Sequence, residues 1–497
     1  MVSSVLSATV LSSVLSSILA CVITIFLMRN AKLLEDKQCV VSRATPDSRR
    51  NARANNSCCG AKDDSFLSRR SKPKLVLLGE HAVQNGAVCL DGSPPGYFIK
   101  RGYGHGVDSW IIHFNGGAWC YDNQACYQRS QTEYGSTLYV NNNLPAQGMY
   151  SGSSNMNPDF YNWNVAFVLY CDGASFTGNR ANPVYFKDKA IYFRGKIILE
   201  SIIDDLLRRG VRKSKQVILT GSSAGSLAVL IHADYITSRL PPTVKIRAIA
   251  DGGFFVDLVT RYGAYKLREH FRSVVETHDA TFGLHPACVR RTPSMEHWKC
   301  MSPEYFFDLI QTKVFILQAA YDVWQIINHL AVVCKIPNYH DLATFNTIAS
   351  RDTRGNSTAV HARGARAWRK KHETLGDKRV LSNELLTSFE EFKENSVKWH
   401  WQSLYSSPAE CTRAEIEEIL SIYGATLKAL RPVLGKEGSG LFMSPCFDHT
   451  QARYDLVWNN VKIKGKTMRE AIHEWYFGKS ENNFHIGKQL SFASCVP

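Results

Sequence analysis

A serine in a glycine-flanked turn is the residue of this sequence best suited to act as a nucleophile. Ser223 is the central residue of Gly-Ser-Ser-Ala-Gly, which begins at Gly221. An apolar run at 217–219 precedes the motif and a helical pattern follows it. This strand–turn–helix context is that of a nucleophile elbow, in which the serine hydroxyl is exposed and the next amide, that of Ala224, faces the carbonyl oxygen under attack. Because such short motifs also arise by chance, the prediction depends on partners for Ser223.

An upstream strand ends in paired glycines that are suited to an oxyanion hole. The run Trp110–Phe114 predicts a buried strand, and Gly116 and Gly117 follow it after one residue. Hydrolases with a nucleophile elbow have a glycine-rich oxyanion loop at this point of the chain. An ordinary glycine turn is the alternative. His113 lies within the strand, and we interpret it as a structural histidine.

Acyl transfer to a serine also needs an imidazole base and an acid that orients the base. Two aspartates follow predicted strands downstream of the elbow. Asp322 comes shortly after the strand Val314–Leu317, whereas Asp251 comes after Val244–Ile249, the next strand after the elbow. The second position more often only supports the site, so we favour Asp322 and keep Asp251 as the alternative.

The base should be the last of the three residues in the sequence. His449 ends a loop that follows a predicted strand, Gly440–Met443, and a proline, whereas His473 lies inside an apparent helix at 468–475. The chain contains 16 histidines, so spacing alone does not decide between these two. The order Ser223, Asp322, His449 is nevertheless that of α/β-hydrolases, and it differs from the order in the two best-known serine protease folds.

Strand and helix patterns alternate from about residue 75 to residue 480. A further strand is predicted at 165–170, and helical patterns lie at 197–209 and 226–238. This alternation predicts an α/β fold, α/β-hydrolase-like: a single catalytic domain with a mostly parallel sheet, helices on both of its faces, and functional residues just beyond the carboxyl ends of the strands.

Two segments do not fit the alternation. Residues 338–401 include a basic stretch with little apolar periodicity, and we interpret this segment as a solvated insertion rather than a binding surface. Residues 481–497 follow the last helical pattern, and we expect them to form a C-terminal tail.

The N-terminal part of the chain predicts targeting rather than catalysis. Residues 1–28 carry no ionisable side chain and are long enough to span a bilayer, which indicates a cleaved signal peptide or an uncleaved signal anchor. Arg29 and Lys32 follow this segment, and on charge alone they would keep the downstream side cytoplasmic. Residues 29–74 are polar and basic, as is typical of a low-order stem.

Cysteine content and net charge indicate the cellular compartment of the protein and the kind of partner that it binds. Fourteen cysteines without zinc-site spacing favour disulfides and therefore the secretory pathway, and sequons at Asn55 and Asn356 agree. We therefore expect a protein that is secreted, or anchored in a membrane by its N-terminal segment. A net charge of +15 favours association with polyanions such as acidic polysaccharide or an anionic membrane surface. Nucleic acid is a poorer candidate because no recognition motif is present.

Several longer segments occur in an order that is typical of one family. They are Gly86–Pro95, Asn115–Cys120, Asn157–Asn164, Tyr170–Gly178, Gly221–Gly225, Asp251–Phe255, Ala319–Gln325 and Trp475–Phe477. Together they resemble the pectin acetylesterase family, which also includes the Notum carboxylesterases. The resemblance runs from about residue 75 to residue 478 and excludes 338–401.

The resemblance implies a role for each candidate residue. The implied nucleophile, acid and base are Ser223, Asp322 and His449. The implied oxyanion hole consists of backbone amides, namely those of Gly116, Gly117 and Ala224. We expect contacts with the substrate from four polar or aromatic side chains: Asn115, Trp119, Phe254 and Phe255.

The sequence also departs from the family pattern. Asn115 stands where the family usually has Glu, which bears on substrate detail more than on reaction type. Plant members have cysteines where this chain has Ser222, Ala233 and Thr450, so their disulfide pattern does not carry over as a whole. We expect only the local disulfide Cys120–Cys126.

The predicted function is that of a monomeric serine carboxylesterase of the secretory pathway that removes O-acetyl groups from polysaccharide. The reaction needs neither a metal nor an organic cofactor. One alternative is a Notum-like deacylase that removes a fatty acyl group from a protein, and the size of the acyl pocket would separate the two. A non-catalytic polysaccharide-binding relative is a second alternative, and the intact Ser223, Asp322 and His449 argue against it.

Overall fold

The computed structural model describes residues 73–140, 144–332, 334, 411–478 and 483–489. The chain divides into two units, and all of these residues belong to the second, Leu67–Pro497. The first unit, Met1–Phe66, lies outside the described residues. So do most of the predicted stem, both sequons (Asn55 and Asn356) and the predicted insertion at 338–401.

Thirteen strands are present in the part of the chain that the structure describes. They are β1 Lys74–Leu77, β2 Gly96–Lys100, β3 Ser109–Phe114, β4 Asn164–Val168, β5 Val184–Phe186, β6 Lys189–Ile191, β7 Gln216–Ser222, β8 Lys245–Asp251, β9 Val314–Asp322, β10 Gly440–Asp448, β11 Lys462–Ile463, β12 Lys466–Thr467 and β13 Phe484–Ile486. Nine of them form one sheet in the order β1-β2-β4-β3-β7-β8-β9-β10-β13. β1 and β2 pair antiparallel with each other, and β2 also pairs antiparallel with β4. Every later neighbour in the sheet is parallel, which confirms the predicted mostly parallel sheet.

Helices cover both faces of this sheet. They are α1 Glu80–Gln84, α2 Asn123–Arg129, α3 Gly195–Arg208, α4 Ala224–Ser238, α5 Lys266–His278, α6 Pro286–Arg291, α7 Val323–Asn328, α8 Arg413–Ala429, α9 Arg431–Leu434, α10 Asp455–Asn460 and α11 Met468–Phe477. Successive side chains of a strand point to opposite faces, so Val217 and Leu219 of β7 join one apolar cluster while Ile218 joins the other. Helices α3, α4, α5 and α8 pack in the first cluster, and α10 and α11 pack in the second.

The strands that carry the candidate residues are longer than the apolar runs that predict them. Pairing continues to Ser222 in β7, to Asp322 in β9 and to Asp448 in β10, because polar residues at the carboxyl ends still bond to the neighbouring strand. β1 begins at Lys74, inside the predicted stem, and β13 lies inside the predicted tail. Both are short edge strands whose formation depends on pairing with a distant strand.

Four disulfides lie within the described residues: Cys89–Cys171, Cys120–Cys126, Cys288–Cys300 and Cys334–Cys411. Cys446 is disulfide-bonded as well. Among the described residues, no helix has the length and apolar character that crossing a bilayer requires.

Candidate active site

Three parallel strands end at the same edge of the sheet and bring together a serine, an aspartate and a histidine. Ser223 follows β7, Asp322 is the last residue of β9, and His449 follows β10. The His449 Nε2 lies 2.7 Å from the Ser223 Oγ, and the His449 Nδ1 lies 2.9 Å from the Asp322 Oδ2. Asp448 of β10 lies opposite Asp322 of β9 in the strand register. His449 is therefore one residue past the position opposite Asp322.

Ser223 is held in a backbone conformation that residues other than glycine rarely adopt. Its φ is 56° and its ψ is −126°, and helix α4 begins with the next residue, Ala224. A left-handed φ at a residue with a side chain costs of order 1–3 kcal/mol and persists only where the surroundings enforce it. The Ser223 amide donates to the carbonyl oxygen of Asp251 at 2.9 Å, which ties the turn to the neighbouring strand β8.

The oxyanion loop approaches Ser223 so closely that a side chain would not fit between them. A Cβ atom added to Gly116 would lie 2.3 Å from the Ser222 carbonyl oxygen and 2.8 Å from the Ser223 Cβ. The backbone amides of Gly116, Gly117 and Ala224 have no hydrogen-bond partner among the described residues. Unpaired backbone donors on segments next to a nucleophilic serine are suited to stabilise the oxyanion of an acyl transition state.

The segment Tyr170–Gly178 holds the oxyanion loop in place, a role that the sequence did not reveal. The hydroxyl of Ser175 donates to the carbonyl of Ala224 and accepts from the indole of Trp119, each at 2.8 Å. The Tyr170 hydroxyl donates to the carbonyl of Ala118 at 2.8 Å. These contacts tie the loop to the first turn of α4, so they fix the oxyanion amides relative to Ser223.

Asp322 accepts more hydrogen bonds than the one from His449. Its Oδ1 accepts from the Gln325 amide at 3.0 Å, and its Oδ2 also accepts from the Gln318 side-chain nitrogen at 3.3 Å. Gln318 is fully buried, and its side-chain oxygen accepts from the Phe254 amide at 3.3 Å. The orientation of the Asp322 carboxylate is therefore set by the protein and not by His449 alone. Spacing in the sequence gave no signal for Gln318.

Asp251, the alternative acid, supports the loop that carries His449. Its carboxylate accepts from the amides of Gln451, at 2.8 and 3.0 Å, and Ala452, at 2.9 Å. Gly252 lies directly against this loop, because an added Cβ would lie 2.1 Å from the His449 carbonyl oxygen. Asp251 thus fixes the backbone beyond His449, whereas Asp322 contacts the ring.

Three carboxylates surround the imidazole and control its charge. Burial disfavours the protonated form of His449, but the negative charges of Asp322, Asp251 and Asp448 outweigh it and raise its pKa above the ordinary value. Burial also raises the pKa of Asp251 to about 6 and that of Asp448 to about 7. An imidazolium formed during acyl transfer is therefore stabilised where it forms.

The other two histidines considered as candidates lie elsewhere. His473 is on α11, is largely exposed, and its Nδ1 lies 2.8 Å from the Asp159 carboxylate. His113 is buried in β3, and its Nδ1 lies 2.8 Å from the Tyr150 hydroxyl. Burial lowers the pKa of His113 to about 3, so its imidazole is neutral, in agreement with a structural role.

Aromatic side chains pack beside the His449 ring. Trp119, Phe255 and Trp324 meet edge to face, with ring centroids 4.9 to 5.6 Å apart. The rings of Phe255 and Trp324 lie 6.1 and 5.9 Å from that of His449. Phe254 is fully buried and packs against Phe307. Trp119, Phe255 and Trp324 therefore form a ring cluster beside His449, and contact of Trp119 and Phe255 with the substrate stays a prediction.

Asn115 and Cys120, two other positions singled out in the sequence, lie on the oxyanion loop, and Cys126 lies on α2. Asn115 is half-buried, and its backbone amide donates to Val168 at 3.2 Å. Cys120 and Cys126 are joined in a disulfide. With His278 they also form the one cluster of potential metal ligands found among the described residues. Because the two sulfurs are bonded to each other, this cluster does not offer the thiolates that a metal would need.

Comparison with known proteins identifies the family of this chain. The chain matches the pectinacetylesterase family over residues 68–375 and 377–492. It is 32% identical to pectin acetylesterase 11 of Arabidopsis thaliana over 83% of this chain and 90% of that protein. It is 28% identical to the human palmitoleoyl-protein carboxylesterase Notum over 50% of this chain and 51% of that protein.

A solved structure shares the fold. The Wnt deacylase Notum from Drosophila superposes with a TM-score of 0.59 at 18% identity, and the match covers 84% of this chain and 97% of that chain. At this identity the likeness establishes the α/β-hydrolase-like fold alone. The family match rests on most of the sequence, and the chain therefore belongs to the pectinacetylesterase family of carboxylic ester hydrolases.

Proposed function

We propose that this protein removes O-acetyl groups from polysaccharide through an acyl-enzyme on Ser223. The observation that carries the proposal is the continuous relay from the Ser223 hydroxyl through both nitrogens of His449 to Asp322, beside three unpaired amides. In this relay the Nε2 of His449 takes the serine proton while the Ser223 Oγ attacks the ester carbonyl. Asp322 holds the ring in the tautomer that makes this transfer possible.

The remaining steps use the same groups. The amides of Gly116, Gly117 and Ala224 receive the negative charge of the tetrahedral intermediate. Protonated His449 then gives its proton to the departing sugar oxygen, which leaves the acetyl group on Ser223. A water molecule, deprotonated by His449, attacks the acyl carbonyl and releases acetate, which restores the free serine.

Ring packing beside the base favours a short acyl group. Trp119, Phe255 and Trp324 are each at most 8% exposed and contact one another next to His449. A long acyl chain would have to separate these rings, and forcing extra methylenes into packed aromatic side chains costs about 1–3 kcal/mol. Acetyl groups therefore fit this space better than fatty acyl groups.

The disulfides support a place in the secretory pathway. Such bonds form and persist in oxidising compartments, and one of them, Cys89–Cys171, spans 82 residues and joins the segment before β2 to the segment after β4. We propose that the enzyme acts outside the cytosol, either secreted or held at a membrane by residues 1–28.

Acetate release from polysaccharide tests the proposed function. We expect the wild type to release acetate from acetylated polysaccharides, and Ser223→Ala to lower the rate by about 10⁴-fold or more. Released acetate is measured across a panel of acetylated polysaccharides, with circular dichroism to verify that the variant is folded. Retained hydrolysis in the folded variant would contradict the role of Ser223.

Asp322→Asn tests the role of the acid through pH dependence. His449 acts as a base only when neutral, and its raised pKa places the half-maximum of kcat/KM above the ordinary imidazole value of about 6.5. Removing the negative charge of Asp322 lowers the pKa of His449, so the acid limb of the profile moves to lower pH. The maximum falls by about 10³–10⁴-fold because the tautomer is no longer fixed. An unchanged acid limb would rule out Asp322 as the partner of His449.

Chain-length dependence tests the acyl group. On p-nitrophenyl esters we expect kcat/KM to fall by about tenfold or more from acetate to octanoate, because the longer chain must displace packed rings. Phe255→Ala should recover part of the activity on octanoate. Phe254→Ala is the matched control, since it removes an equally buried ring that packs against Phe307 instead of the ring cluster beside His449. Activity that rises with chain length in the wild type would favour the deacylase alternative.

A further inference from the structure

The oxyanion loop has a backbone conformation that its surroundings must enforce. Ala118 has a φ of 54°, in the left-handed region that residues with a side chain rarely adopt, and Gly117 has a φ of 149°. Such a conformation persists only where neighbouring groups hold it. Whatever holds this loop therefore also sets the direction of the amides that it carries.

Two tyrosines hold the loop at successive residues. The ring of Tyr134 packs directly on Gly117, because a Cβ atom added there would lie 2.4 Å from the ring. The hydroxyl of Tyr170 donates to the Ala118 carbonyl at 2.8 Å. Both side chains thus contact the residues of the loop that have the unusual backbone conformation.

The side chain of Arg129 contacts both tyrosines. Its guanidinium carbon lies 5.0 Å from the centre of the Tyr170 ring and 5.5 Å from that of the Tyr134 ring, and its Nε donates to the Tyr134 carbonyl at 2.9 Å. It also packs on Gly173, where an added Cβ would lie 3.2 Å from the Arg129 Cδ. The Gly173 carbonyl in turn accepts from the Cys120 amide at 3.1 Å. Three groups that hold the oxyanion loop therefore share one contact, the side chain of Arg129.

Arg129 is a buried cation that the relay from Ser223 to Asp322 does not use. It is 7% exposed, and its Nη2 has no hydrogen-bond partner among the residues that the structure describes. Burying a charge is costly, and an apolar side chain of similar size could fill the same space without that cost. Stability alone therefore does not call for an arginine here. A guanidinium, however, is attracted to the faces of both tyrosine rings at once.

We propose that Arg129 is a positioning residue of the oxyanion hole, because it holds the two tyrosines that keep the amides of Gly116 and Gly117 in place. It contacts neither the substrate nor the Ser223 relay and acts through these rings. A small displacement of an oxyanion donor weakens the stabilisation of the transition state, so the side chain affects the rate without taking part in the chemistry. This inference rests on the proposed function, since it concerns the transition state of the same reaction.

Arg129→Met tests the inference, because it removes the cation and keeps an unbranched side chain. We expect kcat/KM for p-nitrophenyl acetate to fall by about 10–100-fold, since displaced amides stabilise the oxyanion less well. The acid limb of the pH profile should stay in place, because the carboxylates around His449 are unchanged. Arg129→Lys keeps the cation and should restore much of the rate. Circular dichroism verifies that each variant is folded.

An inhibitor that forms an oxyanion gives an independent measurement. With an aryl trifluoromethyl ketone, the Ser223 Oγ adds to the carbonyl carbon, the serine proton passes to His449, and the carbonyl oxygen becomes the oxyanion. We expect Arg129→Met to raise the inhibition constant of this ketone by about the same factor by which kcat/KM falls. A loss of rate with an unchanged inhibition constant would overturn the inference, because the oxyanion hole would then be intact.

Arg194→Met is the matched control. Arg194 is half-buried and also donates to main-chain carbonyls, those of Gly86 and Arg180, at 3.1 and 3.0 Å. These carbonyls lie outside the oxyanion loop, so this variant should keep the wild-type kcat/KM. An equal loss in Arg194→Met, a wild-type kcat/KM in folded Arg129→Met, or a shifted acid limb would contradict the proposed role.

A double-variant comparison decides the matter where Arg129→Met does not fold. Arg129→Lys and Tyr134→Leu are measured alone and combined, and the combined loss in kcat/KM should be smaller than the product of the two single losses, because Arg129 acts through the Tyr134 ring. Losses that multiply fully would contradict the inference. A wild type that does not hydrolyse the ester, or a Ser223→Ala variant that still does, is instead a failure of the proposed function, and it appears without any change at Arg129.

Discussion

The hydrogen-bond relay from Ser223 through His449 to Asp322 is the interaction on which the rest of the site depends. It joins residues that are far apart in sequence, and it exists because β7, β9 and β10 run parallel and end at one edge of the sheet. Parallel pairing in register sets the height of each side chain, so neither Asp322 nor His449 needs a flexible loop to reach its partner. Strand pairing in the sheet therefore brings the candidate catalytic groups together.

Buried hydrogen bonds then restrict the side-chain and loop conformations that strand pairing alone would allow. Asp322 is oriented by Gln318 and by the Gln325 amide, and the backbone after His449 is held by Asp251. Buried carboxylates are costly unless they accept hydrogen bonds, and here those bonds also fix the base and the acid. Burial raises the pKa values of Asp251 and Asp448, and the neighbouring carboxylates raise that of Asp448 further. The carboxylates of Asp322 and Asp251 thus both hold His449 in position and raise its pKa.

The sequence predicted the parallel core and the family, because both depend on local patterns. Apolar runs predicted β3, β7, β9 and β10, and the elbow motif predicted the turn at Ser223. The edge strands β1 and β13 were not predicted, since their pairing partners are distant and the strands are only four and three residues long. Sequence alone ranked Asp322 over Asp251 by position, whereas the structure shows the physical difference: one contacts the imidazole and the other the backbone beyond it. The roles of Ser175 and Gln318 depend on contacts across the fold, and no local pattern encodes them.

The central claim is that Ser223 carries the acyl group, and trapping the acyl-enzyme tests it most directly. Asp322→Asn enzyme is mixed with p-nitrophenyl acetate, quenched with acid during the first turnover, digested, and analysed by mass spectrometry. We predict one acetylated peptide that contains Ser223, formed at the rate of nitrophenol release and missing from a Ser223→Ala sample. An acetyl group on another residue, or turnover of the ester without any acetyl-enzyme, would contradict it.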